Sequence, residues 1–115
     1  MLKNYSGDLA ILVDFDGTIT TTDTNLKLVK MYGNDNVMKV RQAYRDGKID
    51  YITLFDLQFK EFKLTEEEYT NFILTEFDLT KGFVEFYNNV KKNNIPLAVI
   101  SGGFDNGIIP FLKKY

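Results

Sequence analysis

The chain has 115 residues, of which 44% are hydrophobic, and this suits one domain with a core of its own. Its 14 basic and 16 acidic residues give a net charge of −2, which argues against nucleic acid as the main partner. Cysteine and histidine are both absent, so disulfides, thiolate nucleophiles, Cys/His zinc sites and catalytic imidazoles are excluded. Acid–base chemistry must therefore fall to Asp, Glu, Lys or Tyr, and a bound metal would be a hard ion held by oxygen.

The first 14 residues carry one lysine and an apolar run that Asp8 interrupts and Asp14 ends. This run is too short for a signal peptide or a membrane span. We therefore expect a cytoplasmic protein without a membrane partner.

Two short apolar runs predict strands. The first covers residues 9–15 and is closed by Gly17, and the second covers residues 95–100 and ends at Ser101. Neither run alternates between apolar and polar residues, which is typical of the buried strands of parallel sheets. We expect the two strands to be neighbours in such a sheet.

Five helical patterns lie between the strands, and a sixth follows the second strand. They cover residues 25–32, 35–45, 50–63, 65 to about 77 and 81–92, and the sixth starts at about residue 105. The residues expected on buried helix faces are Val37, Val40, Tyr44, Ile52, Phe55, Phe59, Phe62, Tyr69, Phe72, Ile73, Phe77, Phe83, Phe86, Tyr87, Val90, Ile108, Phe111 and Leu112.

Local signals support two of these helices. Thr65 and Glu68 form a capping box, and Asp56 precedes Lys60 by four residues, which favours an ion pair on the helix surface. Pro110 is expected to kink the last helix or delay its start. The whole pattern predicts an α/β fold in which a helical insert interrupts the crossover between two parallel strands.

The segment DFDGTITTTDTN, which starts at Asp14, follows the first predicted strand. An EF-hand loop starting at Asp14 would need glycine at its sixth position and glutamate at its twelfth, where this segment has Ile19 and Asn25. A kinase metal motif would need Asp-Phe-Gly, whereas residues 14–16 are Asp-Phe-Asp. The segment places Asp14 and Asp16 at the carboxyl end of a strand, where open α/β sheets bind ligands. Two carboxylates at ~4 Å repel each other by about 4 kcal/mol at an effective dielectric of 20. Such a pair at a strand end therefore indicates that the two residues bind a cation or take part in a reaction. The alternative is a solvated Asp-Gly turn.

The segment VISGGFDNG contains the second strand end. Gly102 and Gly103 allow the backbone to approach a ligand closely, and amides ahead of a helix attract anions such as phosphate. The alternative is an ordinary strand-to-helix turn. Adjacent parallel strands would bring Asp14 and Ser101 into one crevice. This strengthens the interpretation of each segment as part of a ligand site.

These residues resemble a known family. DFDGTIT is similar to motif I of the haloacid dehalogenase (HAD) phosphatase superfamily, and VISGG is similar to its motif II. The helical insert resembles the type 1 cap of the phosphoserine-phosphatase-like branch, and residues 81–112 are similar to methylthiopentenyl-phosphate phosphatases. The resemblance implies a Rossmann-like core formed by residues 1–19 and 79–115, and a cap formed by residues 20–78.

The resemblance also implies a reaction. Asp14 would be the nucleophile that forms an aspartyl phosphate, and Asp16 would be the general acid and then the general base. The Asp14 carboxylate and the Asp16 backbone carbonyl would bind Mg²⁺, which offsets the repulsion between the two carboxylates. The substrate would be a small phosphorylated metabolite.

Other residues receive supporting roles from the same resemblance. Ser101 and the amide of Gly102 would hold the phosphoryl oxygens, and Gly17 and Thr18 would shape the loop behind the nucleophile. Phosphoserine phosphatase and phosphotransferase activities are alternatives within the superfamily.

The superfamily also uses a motif III lysine and a motif IV acidic cluster, which normally lie beyond the position of Tyr115. Lys113 and Lys114 come too soon after Ser101 and are interpreted as a solvated helix end. We therefore expect the chain to correspond to the N-terminal part of a phosphatase, with strand edges that a C-terminal half or a second chain would cover. The activity of these 115 residues alone is left open.

Three further alternatives remain at this point. A catalytically silent fragment could bind metal or a partner chain. A phosphoaccepting receiver domain also uses an aspartate at a strand end, but it does not explain the helical insert. Arg41 and Arg45 share a helix face and could bind an acidic group of the substrate, although a solvated surface is favoured.

Overall fold

A computed structural model describes residues 7–115 and contains, within that range, two strands and six α-helices. The strands are β1 (Ile11–Asp14) and β2 (Leu97–Ile100). The helices are α1 (Thr24–Tyr32), α2 (Asp35–Arg45), α3 (Tyr51–Phe62), α4 (Glu66–Glu76), α5 (Phe83–Lys92) and α6 (Asp105–Lys114).

The two strands pair in parallel, as the sequence predicts. Ile11 lies opposite Leu97, and Asp14 lies opposite Ile100. The carboxyl ends of both strands therefore meet at one edge of the sheet, and five helices lie in the crossover between them.

The prediction of fully buried strands is wrong. Burial alternates along both strands, and Leu12 and Ile100 are 66% and 55% exposed. On the other face, Val13 and Val99 pack against the hydrophobic core. Only one face of the sheet is covered by described residues, so side chains of the same apolar type have opposite environments.

One hydrophobic cluster runs from the sheet into the helical insert. Its fully buried members are Phe15, Ile19, Leu28, Val37, Phe62, Phe72, Ile73, Phe77 and Phe111. The Phe15 and Phe111 rings meet edge to face with centroids 5.4 Å apart, which joins the loop after β1 to α6. The insert and the sheet therefore share a core.

Several predicted helix faces are displaced. Ile52 is 78% exposed, because α3 buries Leu54, Gln58 and Phe62 at intervals of four residues instead. Tyr44 on α2 and both Phe86 and Tyr87 on α5 are also exposed, so their predicted burial is wrong. An apolar stripe indicates which side of a helix can be buried, but a neighbouring element must still cover it.

The cap signals are confirmed. The Thr65 side chain accepts a hydrogen bond from the Glu68 amide at 3.1 Å, and the Glu68 side chain accepts one from the Thr65 amide at 3.4 Å. The Asp56–Lys60 ion pair is present at 3.2 Å. These interactions are local in sequence, which is why they can be predicted from it.

Pro110 lies inside α6 and does not delay its start. Proline has no N–H, so the carbonyl of Asn106 loses its helical donor. Thr70 Oγ1 on α4 lies 2.7 Å from that carbonyl oxygen and 3.0 Å from the Glu66 carbonyl oxygen. A hydroxyl from the neighbouring helix therefore satisfies the group that proline leaves unpaired.

The helical insert leaves and rejoins the sheet domain at one place. Thr20 and Leu79 form an antiparallel bridge, the Thr21 amide donates to Asp78 O at 3.0 Å, and the Thr80 amide donates to Ile19 O at 2.8 Å. The described residues extend over 53 × 30 × 20 Å. None of their helices is long and apolar enough to span a membrane.

Candidate active site

The loop that follows β1 carries the first part of the site. The Asp14 carboxylate accepts a hydrogen bond from the Phe15 amide at 2.9 Å. Gly17 has a φ of 72°, in the left-handed region that glycine adopts without strain. The buried Thr20 hydroxyl accepts from the Gly17 amide at 2.9 Å and lies 2.7 Å from Thr22 O. The loop is thus held by its own threonine.

Asp16 joins the two predicted motifs. Its Oδ2 accepts a hydrogen bond from Ser101 Oγ at 3.1 Å, and its Oδ1 accepts one from Thr24 Oγ1. Ser101 Oγ in turn accepts from the Gly103 amide at 2.9 Å. Because a hydroxyl both donates and accepts, these two partners can follow the carboxyl group through either protonation state.

The glycines after β2 allow this close approach. A Cβ atom on Gly103 would lie 3.2 Å from Ser101 Oγ and 3.8 Å from Asp16 Oδ2. A Cβ on Gly102 would lie 3.8 Å from Tyr51 Oη, which belongs to α3 in the insert. The turn after β2 therefore lies between the sheet and the insert.

A cavity of about 90 Å³ opens between this turn and the insert. Asp16, Thr24, Asn25, Gly102 and Gly103 form its polar side. Its apolar side consists of Leu28, Tyr51, Phe55, Phe59 and Tyr69.

The Phe104 ring connects the turn to the insert. Its ring centroid lies 4.9 Å from that of Phe59, and 5.5 Å from those of Phe55 and Tyr69. Burial and the nearby Asp16 charge raise the pKa of Tyr69 from 10 to about 12. Tyr69 therefore stays protonated at neutral pH and presents a neutral hydroxyl.

The structure brings together Asp16, Ser101 and Gly102, with Asp14 at the adjoining end of β1. Thr18 is exposed, and its carbonyl oxygen accepts from Thr80 Oγ1 at 2.6 Å, so it holds the loop from outside the cavity.

Sequence reasoning missed Thr24 and the aromatic wall of the cavity. The run of threonines after motif I was the available signal for Thr24, because such hydroxyls lie within reach of the aspartates.

Among the described residues, no lysine or arginine lines the cavity. Arg41 is half-buried and donates to Gln58 Oε1 at 2.9 Å, which neither sequence interpretation foresaw, whereas Arg45 is exposed. Lys113 and Lys114 are exposed as predicted, although Lys114 Nζ also donates to Leu74 O at 3.1 Å.

The acidic pair stands alone as a candidate metal centre. Residues 7–115 contain no group of three or more acidic side chains arranged to hold a metal. Asp14 and Asp16 could offer oxygen ligands to a hard cation, but these two residues alone would not complete its shell.

The family model of haloacid dehalogenase-like hydrolases matches residues 11–115. The chain belongs to this family. Among curated family members, the 2-hydroxy-3-keto-5-methylthiopentenyl-1-phosphate phosphatase of Bacillus pumilus (strain SAFR-032) is 31% identical over 104 residues, which are 90% of this chain and 45% of that protein. The enzyme of the same name from Geobacillus thermodenitrificans (strain NG80-2) is 30% identical over 111 residues, covering 90% of this chain and 48% of that protein.

Solved structures show the same HAD fold. A HAD family hydrolase from Salmonella enterica has a TM-score of 0.74 at 19% identity and covers 92% of this chain and 37% of that one. A phosphoserine phosphatase solved as a phospho-aspartyl intermediate analogue has a TM-score of 0.70 at 25% identity and covers 95% of this chain and 53% of that one. The chain spans about half the length of the relatives it matches.

Proposed function

We propose that the protein is a Mg²⁺-dependent phosphomonoesterase that acts on a small phosphorylated metabolite through an aspartyl phosphate on Asp14. The observation that carries the proposal is the 3.1 Å hydrogen bond between Ser101 Oγ and Asp16 Oδ2. It places the serine turn against the acidic loop across 85 residues of sequence. Parallel strands bring the two turns close, but turns that only redirect the backbone would not need a hydrogen bond between their side chains.

In the first half of the reaction, an Asp14 carboxylate oxygen attacks phosphorus. The bond between phosphorus and the ester oxygen breaks, and Asp16 in its acid form gives that oxygen a proton. In the second half, water attacks the aspartyl phosphate and gives a proton to the Asp16 carboxylate. Phosphate leaves, and both aspartates return to their starting forms.

The remaining site residues position the phosphate. Ser101 and the Gly102 amide bind its oxygens, and Gly17 and Thr18 keep the loop of the nucleophile in place. The hydrogen bond from the Gly103 amide to Ser101 Oγ, at 2.9 Å, supports this role because it orients the hydroxyl.

The residues present fit Mg²⁺, which is usually held by one or two carboxylates together with water and substrate phosphate. Asp14 and the backbone carbonyl of Asp16 would hold it. When bound, Mg²⁺ supplies positive charge that offsets the repulsion between the carboxylates and the phosphate.

The core of the proposed enzyme consists of residues 1–19, of which 1–6 lie outside the described residues, and of residues 79–115. The cap consists of residues 20–78. The hydrogen-bonded crossing at Thr20 and Leu79 supports these boundaries, because both connecting segments pass through it. We expect a C-terminal half or a second chain to cover the free edge of β2 and the apolar groove of about 400 Å³ between α5, β2 and α6. We also expect the enzyme to work in the cytoplasm.

The substrate is proposed to be close to that of the methylthiopentenyl-phosphate phosphatases. The name of their substrate includes a hydroxyl, a keto and a methylthio group. Thioether sulfur packs favourably against aromatic rings, and four aromatic side chains line the cavity.

Phosphoserine phosphatase activity is the second candidate, since a phosphoserine phosphatase has a similar fold. Against it, no lysine or arginine among the described residues lines the cavity to bind the carboxylate of serine.

The experiment uses the full-length protein and a generic aryl phosphate, with and without Mg²⁺. Asp14→Asn should lower turnover by several powers of ten and remove the covalent intermediate detected by mass spectrometry. Asp8→Asn is the matched control, because it removes the same charge from an exposed position shortly before β1. Equal rates in Asp14→Asn and Asp8→Asn would refute the covalent role, and turnover by neither the wild type nor the control would refute the phosphatase assignment.

A further inference from the structure

A series of hydrogen bonds centred on the buried Gln58 approaches the cavity from the side of the insert. Arg41 Nη1 on α2 donates to Gln58 Oε1 at 2.9 Å, and Gln58 Nε2 donates to Asn25 Oδ1 at 2.9 Å. Gln58 is only 1% exposed, so it has no water to replace either partner. Asn25 is the last residue in this series of hydrogen bonds and lies on the cavity wall.

Arg41 determines which atom donates and which accepts in each of these hydrogen bonds. A guanidinium group can only donate, so it faces the oxygen of the Gln58 amide, and the nitrogen of that amide must face Asn25. Asn25 therefore turns its own oxygen towards Gln58 and leaves its Nδ2 for the cavity. Within residues 7–115, that nitrogen donates to no other group.

The rest of the insert's side of the cavity is mostly aromatic. Leu28, Phe55 and Phe59 are apolar, and Tyr51 and Tyr69 add a hydroxyl each. Asp16 accepts hydrogen bonds from Thr24 and Ser101. A leaving group that enters the cavity thus meets aromatic surface, two tyrosine hydroxyls and the amide of Asn25, whose direction the Gln58 hydrogen bond fixes.

We propose that Asn25 is a specificity-determining residue that donates a hydrogen bond from Nδ2 to a carbonyl or hydroxyl oxygen of an uncharged leaving group. Arg41 and Gln58 are positioning residues, which keep the donor pointed at the substrate. This assignment rests on the proposed phosphatase function, because it concerns the part of the substrate that leaves as an alcohol.

The test compares two three-carbon phosphate esters on the full-length protein with Mg²⁺. Dihydroxyacetone phosphate carries a carbonyl next to the phosphorylated carbon, and propyl phosphate does not. Asn25→Leu should lower kcat/KM for dihydroxyacetone phosphate roughly 10-fold and change kcat/KM for propyl phosphate by less than about 3-fold. Thermal unfolding of each variant shows that it is folded.

Gln58→Glu tests the positioning chain separately. A glutamate at this position still accepts from Arg41 but cannot donate to Asn25, so the Asn25 amide turns and presents its oxygen to the cavity. The preference for dihydroxyacetone phosphate should disappear while turnover of propyl phosphate is kept. A merely structural role for Gln58 would lower both rates by the same factor, and that result would overturn the positioning role.

Other outcomes have distinct meanings. Equal losses on both esters in Asn25→Leu would overturn the specificity role and leave the phosphatase function intact. A wild-type preference for phosphoserine over dihydroxyacetone phosphate would overturn the uncharged leaving group. Turnover of none of the three esters by the wild type would remove the proposed function and the inference with it.

Discussion

Replacing Thr24 with valine tests how far the Asp16 carboxylate depends on a hydroxyl from the insert. Thr24 is buried, and its Oγ1 donates a hydrogen bond to Asp16 Oδ1. Ser101 Oγ donates one to Asp16 Oδ2. Valine is nearly the same shape, so the change removes the hydrogen bond and little else. Asp16 is then held on one side only, and it is free to rotate away from the ester oxygen that it must protonate.

The expected size of the effect follows from the charge on the acceptor. A hydrogen bond to a charged group contributes about 1.5–3 kcal/mol, and each 1.4 kcal/mol or so of barrier changes a rate about tenfold. We expect Thr24→Val to lower kcat/KM roughly 10- to 150-fold.

The assay is steady-state release of phosphate from an aryl phosphate by the full-length protein with Mg²⁺. Thr24→Ser keeps the hydroxyl and should recover most of the rate, and Thr22→Val makes the same change at an exposed threonine two residues earlier. A normal rate in Thr24→Val, or equal losses in the valine and serine variants, would refute the reasoning about Asp16.

Three other predictions concern the contact between α4 and α6. A Cβ on Gly107 would lie 2.9 Å from Tyr69 Cε1. Gly107→Ala should therefore lower the free energy of unfolding by about 1–3 kcal/mol in urea titrations, although alanine is the better helix former. A more stable variant would contradict the close contact. Thr70→Val should lower the free energy of unfolding by about 1–2 kcal/mol, because the Asn106 carbonyl loses its donor. The loss should be smaller in a Pro110→Ala background, where an N–H returns to the helix. Equal losses in both backgrounds would argue against this account. Since the folded pKa of Tyr69 is raised from 10 to about 12, the unfolded state loses its proton first, and stability should fall as pH rises from 10 to 12. Tyr69→Phe should lack that fall in unfolding curves measured against pH, and an unchanged fall would assign it to another group.

Helix boundaries could be predicted well where a cap supplied the signal. Asn34 and Asp50 accept hydrogen bonds from amides three residues later, at 3.0 and 2.8 Å, and both helices begin directly after these residues. Such contacts depend on a few neighbouring residues. The exposure of Leu12, Ile52 and Tyr87 could not be predicted, because burial depends on whether a distant element covers each side chain.

In the candidate site, too, some contacts could be predicted from the sequence and others could not. The approach of Asp16 to Ser101 was predictable, because the parallel pairing of two recognisable strands brings their ends together. The chain from Arg41 through Gln58 to Asn25 was not, because each link joins a different helix and no local pattern requires it. A glutamine among apolar residues of a helix looks like a surface position until its partners are known.

The surroundings of the two aspartates explain why we expect catalysis to need more than they provide. Among residues 7–115, the donors to Asp14 and Asp16 are a backbone amide and two hydroxyls, and neither aspartate forms an ion pair. Neutral donors can offset about 4 kcal/mol of repulsion between two carboxylates, because each bond to a charged acceptor contributes about 1.5–3 kcal/mol. They cannot neutralise a phosphate that brings further negative charge. Removal of divalent cations should therefore abolish turnover and leave the thermal stability of the fold nearly unchanged, and a large loss of stability would instead indicate that the pair needs a cation in order to fold.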